Sequence, residues 1–197
     1  MRRARHNEEE TQHAQVLVVT QTREECKLVA RFMEIRLEKR EVACVARLLE
    51  EEAPRTCEAV WNALPLSGDA YHAKYARNEI YNLVPAFADP EPGRENPTIT
   101  PIPGDVVYFS FEPWQLMTGS HGYEEGDELE GLERIVDLAL FYERNNLLLN
   151  PDYGFVPANV YATIVEGLED IAAASQDMWK KGVVGERLTF ERLDRET

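Results

Sequence analysis

The chain contains 197 residues, of which 44% are hydrophobic, so it is long enough for one domain with a substantial core. Its net charge of -15 argues against a nucleic-acid or anionic-membrane partner, because both are recognised by basic surfaces. The three cysteines, Cys26, Cys44 and Cys57, lack the number and spacing of a disulfide framework or a structural zinc site.

The first part of the chain is polar and charged, and residues 1–27 are predicted to be an N-terminal extension that precedes the main domain, residues 28–197. Within this extension, Gln15–Thr20 has the apolar run of a short strand. The sequence shows neither an apolar leader segment nor an apolar run of membrane-spanning length, so we expect a cytoplasmic protein.

The main domain is predicted to open with a hairpin and a helix. Leu28–Leu49 has the pattern of a β-hairpin with its turn near Glu38–Arg40. A short helix is expected from Ala53, because Pro54 fits a first helical turn and apolar residues then recur at helical spacing. The apolar stripe of this helix consists of Cys57, Val60, Trp61 and Leu64.

The next segment, Asp69–Val84, is predicted to be a strand that carries more polar side chains than a core strand needs. Its alternation places Tyr71 and His72 on opposite sides, with a change of phase near Arg77. Residues 79–81 are expected to start a second short strand. Five prolines follow within Phe87–Pro103, a density that excludes regular structure and predicts a long loop.

The C-terminal half is predicted to contain strands around one long helix. Val106–Phe111 and Leu132–Tyr142 have the apolar character of strands, although a helix over Arg134–Leu140 also fits the second. Pro157 is expected to open the longest helix, and Arg187–Leu193 alternates as a last strand. The apolar stripe of that helix would be Val160, Ile164, Leu168, Ile171 and Met178.

Several of these pieces, in their order along the chain, resemble known proteins. Arg47–Val60 is similar to the opening of cyclophilins, where an acidic-flanked helix follows the second strand of a closed barrel. More of the chain, about Arg31–Leu193, resembles a bacterial family of unknown function with a cyclophilin-like fold. The matching pieces are 52–57, Trp61 with Leu64-Pro65, His72-Ala73, 78–80, 95–97, 103–106, 144–146 and 157–160.

The resemblance implies a mainly β protein, a cyclophilin-like closed antiparallel β-barrel with two α-helices. It does not imply prolyl isomerisation. Active cyclophilins carry an arginine directly after the histidine of their motif, whereas here Tyr71-His72 is followed by Ala73. The downstream glutamine and glycine run of those enzymes is also missing, so nothing in this stretch polarises a proline amide.

Polar residues on the predicted strand and the neighbouring loops form the candidate site. They are expected to meet in one pocket on the barrel and to bind a small polar metabolite, since a histidine beside a carboxylate offers hydrogen bonds and a shifted pKa. The nine candidates are Tyr71, His72, Tyr75, Arg77, Asn78, Glu79, Glu95, Asn96 and His121. No cofactor or metal is predicted, because no spacing forces three or four ligands together.

Structural interpretations of the same residues stand beside this one. His72 fits a hydrogen bond within the barrel wall, and Glu79 fits an ion pair with Arg77. Glu95-Asn96 fits a turn before proline, and Asp105 fits a turn held by backbone hydrogen bonds. Asn145 and Asn146 also fit a turn at a strand end, because Asn tolerates positive φ.

Three functions follow from these alternatives. The first is a binding protein for a small-molecule ligand. The second is a hydrolase or isomerase of small molecules that uses His72 with Glu79 or Glu95 for acid–base chemistry, although no catalytic residue is assigned. The third is a non-catalytic interaction or regulatory barrel, which would form a homo-oligomer or a complex with a partner.

Overall fold

A computed structural model describes residues 30–112, 115–116, 133–152 and 154–195. The predicted N-terminal extension with its strand candidate, Cys26 and His121 lie outside these residues. The elements are β1 Phe32–Leu37, β2 Val42–Leu48, α1 Pro54–Ala63, β3 Leu66–Asp69, β4 Tyr71–His72, β5 Glu79–Pro85, β6 Pro97–Thr98, β7 Asp105–Phe111, β8 Ile135–Phe141, β9 Leu149–Asn150, β10 Gly154–Phe155, β11 Ala158–Glu166, α2 Leu168–Lys181 and β12 Arg187–Leu193. Among these residues, neither helix is long and apolar enough to cross a membrane.

The predicted mainly β architecture with two helices is confirmed over the described residues. One antiparallel sheet has the order β3-β12-β1-β2-β11-β7-β8-β5-β4, with β6 added to β11, while β9 and β10 form a separate ribbon. The predicted closed barrel is not confirmed, because no ladder of hydrogen bonds joins β3 to β5 within the described part of the chain.

The two ends of the sheet nevertheless lie side by side. Asn82 of β5 donates a hydrogen bond from Nδ2 to the carbonyl of Leu188, at 2.9 Å, across the gap. Gly68 of β3 comes so close to β5 that a Cβ there would lie 3.1 Å from the carbonyl oxygen of Leu83. The four-residue strand β3 therefore contacts β5 through side chains and close packing. No ladder of backbone hydrogen bonds joins the two strands among the described residues.

The predicted hairpin and first helix are confirmed. Met33, Ile35 and Leu37 alternate with half-buried residues along β1, and they pack under the sheet as the period of two requires. In α1, Cys57 and Val60 are fully buried and Trp61 packs partly buried against the same core. The apolar positions of Cys44 and Cys57 are likewise confirmed, since both are buried free thiols.

The prediction of one long helix from Pro157 is wrong. Residues Ala158–Glu166 form strand β11, and the helix begins only at Leu168. Residues 158–162 are buried on both faces of the sheet and include Val160 and Tyr161, residue types that favour strands. A run that is buried throughout fits a helical pattern and a strand pattern equally well. Gly167 separates the two elements, because its φ is +78° and a Cβ there would lie 2.8 Å from the carbonyl of Ala43.

The predicted strand Asp69–Val84 is interrupted near Arg77, as expected, and the expected second strand begins at Glu79 as β5. The first part is shorter than predicted, because β4 ends at His72 and bends follow at residues 74–78, where Arg77 has a φ of +72°. The proline-rich loop is confirmed except for β6, which pairs Pro97 and Thr98 with β11. The strand alternative for Leu132–Tyr142 is confirmed by β8, which is buried along its whole length.

The strands β5, β7 and β8 are buried on both of their faces. One face, with Ile80, Val106 and Leu138 among its members, belongs to the main core that also packs against α1 and α2. The opposite face, with Val107, Phe109 and Phe141, forms a second apolar cluster beneath the loops that follow β4 and β8. The candidate site lies on this second face.

Candidate ligand-binding site

A pocket lies in the second apolar cluster, on the face of β5, β7 and β8 that points away from the main core. Its volume is about 100 Å³, and segments 73–76 and 148–150 cover the strands around it. Its lining residues are Ala73, Lys74, Tyr75, Ala76, Glu79, Tyr81, Phe109, Phe111, Leu116, Asp137, Leu148, Leu149, Asn150 and Val156. The pocket is therefore largely apolar, with two carboxyl groups in its wall.

The strand register places both carboxyl groups on this face. Glu79 of β5 lies opposite Phe141 of β8, and Asp137 of β8 lies opposite Leu83 of β5. Side chains alternate along a strand, so every second residue points to the same side. This places Glu79, Tyr81 and Asp137 on one face of the sheet, together with the cross-strand partners Phe141 and Leu83. Ala139, opposite Tyr81, lies between the two acids in the register and carries only a methyl group.

Both carboxyl groups are withdrawn from water. Glu79 is 5% exposed and Asp137 is 7% exposed. Burial raises the pKa of Glu79 to about 8, because a charged carboxylate is poorly solvated there. Burial also raises the pKa of Asp137 well above its ordinary value, and the negative charge of Glu79 raises it further. The pair therefore holds a proton at neutral pH instead of two full charges.

One oxygen of this pair has no hydrogen-bond partner. Asp137 Oδ1 is fully buried and unpartnered within the described residues. Leaving a buried acceptor unsatisfied costs about 1–3 kcal/mol, which is why such atoms are rare in folded proteins. The side chain of Asp137 also lines the pocket, so this carboxyl group is the acceptor nearest to a bound molecule that is left incompletely satisfied by the described residues.

Four of the predicted site residues lie at or near this pocket. Glu79 and Tyr75 line it, and Tyr75 is half exposed at its edge. Tyr71 stacks on Tyr81, a lining residue, with ring centroids 5.4 Å apart. Asn78 does not line the pocket but fixes the loop above it, because its Nδ2 donates to the carbonyl of Arg144 at 2.7 Å.

His72 lies on the opposite side of the sheet from Glu79. It is paired with Ile80 in the ladder, so its ring points toward α2, where Trp179 lies 5.0 Å away between ring centroids. Its Nδ1 donates to the carbonyl of Ala73 at 3.1 Å, which leaves Nε2 to accept from the hydroxyl of Tyr142 at 2.7 Å. Burial lowers the pKa of His72, so the ring is a neutral structural group.

Glu95 is also separated from the pocket, because it closes the N-terminus of α1. Its Oε2 accepts hydrogen bonds from the backbone N–H and hydroxyl of Thr56 at 2.7 and 2.9 Å. Its Oε1 accepts from the backbone N–H of Arg55 at 3.2 Å. Burial alone would raise the pKa of Glu95, but these hydrogen bonds and the Arg55 charge hold it below the ordinary value.

The remaining predicted residues are structural or lie outside the described chain. Asn96 donates from Nδ2 to the carbonyl of Val160 at 2.9 Å, and it has a positive φ of 44°. Arg77 is exposed in the bend before β5 and does not line the pocket. The expected convergence of His72, Glu79 and Glu95 in one cavity is thus not found, because strand alternation and the loop path send them to separate places.

The turn interpretations of the asparagine and aspartate residues fit the structure. Asp105 Oδ2 accepts from the backbone N–H of Ile102 at 2.9 Å. Asn145 has a φ of +68°, and the buried Asn146 donates to the carbonyls of Pro101 and Glu143. The expected Glu79–Arg77 ion pair is not among the salt bridges of the described residues, where the charged neighbour of Glu79 is Asp137.

Sequence reasoning missed Asp137, the second carboxyl group of the site. A signal was available, because Asp137 is the one charged residue in the run Ile135–Phe141, which is otherwise apolar. A charge in the middle of a buried strand requires a partner or a function. The described residues contain no group of three or more His, Cys, Asp or Glu side chains that would hold a metal ion.

Fold and site together define an antiparallel β protein with a small, largely apolar pocket on one face of its sheet and two buried carboxyl groups in the pocket wall. The chain belongs to the family described as Protein of unknown function (DUF3830), which matches residues 35–190. No curated protein matches the chain.

Two solved structures are similar to this chain. The structure of McbB in complex with tryptophan has a TM-score of 0.53 and 18% identity, over 84% of this chain and 46% of that one. The solution structure of the hypothetical protein AF2241 from Archaeoglobus fulgidus has a TM-score of 0.44 and 24% identity, over 84% of this chain and 96% of that one. This chain thus spans less than half of the McbB chain, and the likeness to McbB concerns the fold alone.

Proposed function

We propose that this protein binds a small molecule in the pocket between β5, β7 and β8. The observation that carries the proposal is that two buried carboxyl side chains, Glu79 and Asp137, line this pocket, and that Asp137 Oδ1 has no hydrogen-bond partner among the described residues. A ligand that donates a hydrogen bond to this oxygen removes the cost of leaving it unsatisfied. The rest of the wall, including Phe109 and Phe111, favours an apolar body on the same ligand.

The ligand that fits these walls differs from the polar metabolite suggested by the sequence. Only a few of the expected polar residues reach the pocket, and most of its lining is aliphatic or aromatic. A compact apolar molecule with one polar head group matches a volume of about 100 Å³. The polar head would lie against the two carboxyl groups, and the apolar part would lie against the rings.

An acid–base enzyme is the second candidate function, with Glu79 and Asp137 replacing the expected pair of His72 and a glutamate. The observation in its favour is that Glu79 has a pKa of about 8 and lies beside a second carboxyl group. Such a group donates a proton readily near neutral pH, and its neighbour receives one when ionised. Turnover of a bound ligand that is lost in Glu79→Gln, with binding retained, would establish this candidate.

We also infer that the fold is a cyclophilin-like barrel whose last seam is closed by packing instead of a ladder. The close approach of Gly68 to Leu83 and the hydrogen bond from Asn82 to Leu188 support this inference. Prolyl isomerisation is not part of the proposal. His72 is neither followed by arginine nor open to the pocket, because it is bonded to Tyr142.

Ligand-observed NMR with a library of compact amines, alcohols, amides and carboxylic acids tests the binding function. Tryptophan belongs in the library because the McbB structure is a complex with that amino acid. We expect hits that disappear in Asp137→Leu, where an apolar side chain replaces the acceptor and fills part of the pocket. Asp105→Asn is the matched control, since it also changes a partly buried aspartate but lies outside the pocket. Hits that survive Asp137→Leu, or a library without hits, would overturn the proposal.

A further inference from the structure

The two carboxyl groups in the pocket wall, Glu79 and Asp137, accept hydrogen bonds once they are ionised. A head group that supplies donors therefore pairs with them in that state. An ammonium group supplies three donors and no acceptor, whereas a hydroxyl supplies one donor and a ligand carboxylate supplies none when ionised.

The aromatic part of the wall favours the same kind of head group. Tyr81, Phe109 and Phe111 line the pocket together with the two acids, and the rings of Phe109 and Phe111 stack with centroids 5.5 Å apart. The face of an aromatic ring attracts a cation, and the attraction is stronger where water is excluded. Carboxyl groups and rings around one small volume are a combination that selects organic cations.

The charged groups around the pocket act in opposite directions. Lys74 and Tyr75 of the covering loop line its exposed edge, and the positive charge of Lys74 opposes a bound cation, whereas the two acids favour one. Tyr81, on β5, is the third titratable group of the lining beside the two acids. Strand β7 and segment 148–156 contribute no acidic or basic side chain to the described lining. The net charge of -15 adds a general attraction for positively charged ligands.

We infer that the pocket binds a primary ammonium ion on a compact apolar body, and that binding releases a proton from the Glu79–Asp137 pair to solvent. This inference rests on the proposed binding function and names the ligand class. The ligand enters with its charge, the carboxyl group that holds a proton loses it, and the resulting carboxylate accepts hydrogen bonds from the ammonium group. Charge is conserved, since one proton leaves for each cation that binds.

The released proton gives the binding a characteristic pH dependence. Below the pKa of Glu79, about 8, the ligand must displace a proton, so its affinity rises with pH. The expected rise is up to about tenfold per pH unit between about pH 6 and pH 7.5, and it levels off near pH 8. A neutral ligand of the same shape displaces no proton and shows no such rise.

Isothermal titration calorimetry of the full chain with two matched probe series tests the inference. The cations are methylammonium, butylammonium and benzylammonium, and the neutral partners are the corresponding alcohols. Titrations at about pH 6 and about pH 8, each in two buffers of different ionisation enthalpy and without competing amines, report affinity and protons released. We expect at least one cation to bind at least tenfold more tightly at the higher pH, with close to one proton released at the lower pH.

The variants separate this inference from the proposed function. Glu79→Gln and Asp137→Asn keep the shape of the pocket, and each should weaken cation binding about tenfold or more and remove its pH dependence. Asp105→Asn should bind like the wild type. If the alcohols bind as tightly as the cations, or if no proton is released, the ligand class is wrong while the binding function stands. If neither series binds, both the ligand class and the proposed binding function are wrong.

Discussion

Two acidic side chains of this protein, Glu95 and Asp137, have little exposed surface and are bonded in opposite ways. The side chain of Glu95 is 8% exposed, and both of its oxygens accept hydrogen bonds at the start of α1. Asp137 is 7% exposed, and one of its oxygens accepts none among the described residues. Burial of an acid is therefore not by itself a sign of function, and the bonding of its oxygens separates the two sites.

The Glu95 site shows what a satisfied buried carboxylate does for stability. The Thr56 hydroxyl donates to Glu95 and accepts from Nδ2 of Asn159 at 3.1 Å, so the loop, the helix and β11 are joined in one network. The negative charge also lies at the N-terminus of α1, where the helix dipole favours it. Glu95 was included in the candidate site because of its residue type, yet its bonding makes it a capping residue.

The largest expected effect breaks the satisfied site. Glu95→Ala leaves the N–H and hydroxyl of Thr56 without their acceptor, so we expect a loss of about 3 kcal/mol in the free energy of unfolding. Urea unfolding measures this loss. Glu95→Gln, which retains one acceptor oxygen, should lose roughly half as much. A Glu95→Ala protein within about 0.5 kcal/mol of the wild type would show that the network contributes nothing.

The next effect concerns the pH dependence of stability at the unsatisfied site. The folded pKa of Glu79, about 8, lies above the unfolded value, so its contribution is fully present below about pH 4 and is lost as pH rises toward 8. Relative to the double variant Glu79→Gln/Asp137→Asn, the wild type should lose about 2 kcal/mol of stability between about pH 6 and pH 8. Parallel stability curves for the two proteins would contradict the raised pKa.

A third change should have the opposite sign to Glu95→Ala. Asp137→Leu replaces an unsatisfied acceptor by an apolar side chain within β8, which is otherwise apolar, and places it beside a pocket that has room for it. We expect a gain of about 1 kcal/mol in the free energy of unfolding near neutral pH, together with loss of ligand binding. A clear destabilisation in thermal unfolding would mean that Asp137 has a structural partner, as Glu95 does.

The smallest expected effect is at His72. His72→Phe keeps a ring against Trp179 and removes the hydrogen bond to Tyr142, so we expect a loss of about 0.5 kcal/mol. Ligand affinity should not change, because the ring lies on the other face of the sheet from Glu79. A tenfold or greater loss of ligand affinity in His72→Phe would show that His72 contributes to ligand binding.

Much of the fold was predictable because local patterns determine it. The hairpin of β1 and β2 follows from alternation, and α1 follows from Pro54 and the stripe that contains Cys57 and Val60. The prediction of a helix from Pro157 was wrong because a strand that is buried on both faces shows no alternation of apolar and polar residues. The sequence of β11 therefore has the same apolar pattern as a buried helix. The break at Gly167 depends on the close approach of Ala43, which only the folded structure reveals.

The site was less predictable than the fold, for a physical reason. Glu79 was identified from its polar neighbours along the chain, but the register of β5 and β8 decides which neighbours it has in space. That register brings Asp137 to the same face and sends His72 to the other. Sequence proximity between His72 and Glu79 therefore indicated a pair that strand alternation separates.

Carboxyl-carbon NMR of Glu79 and Asp137 during a pH titration reports the ionisation of each group and so shows whether the buried pair holds a proton. We expect the free protein to retain a proton on this pair at neutral pH, and a saturating ammonium ligand to shift the signals to the ionised form at the same pH. Two carboxyl groups that are both fully ionised by about pH 5 in the free protein would contradict this expectation.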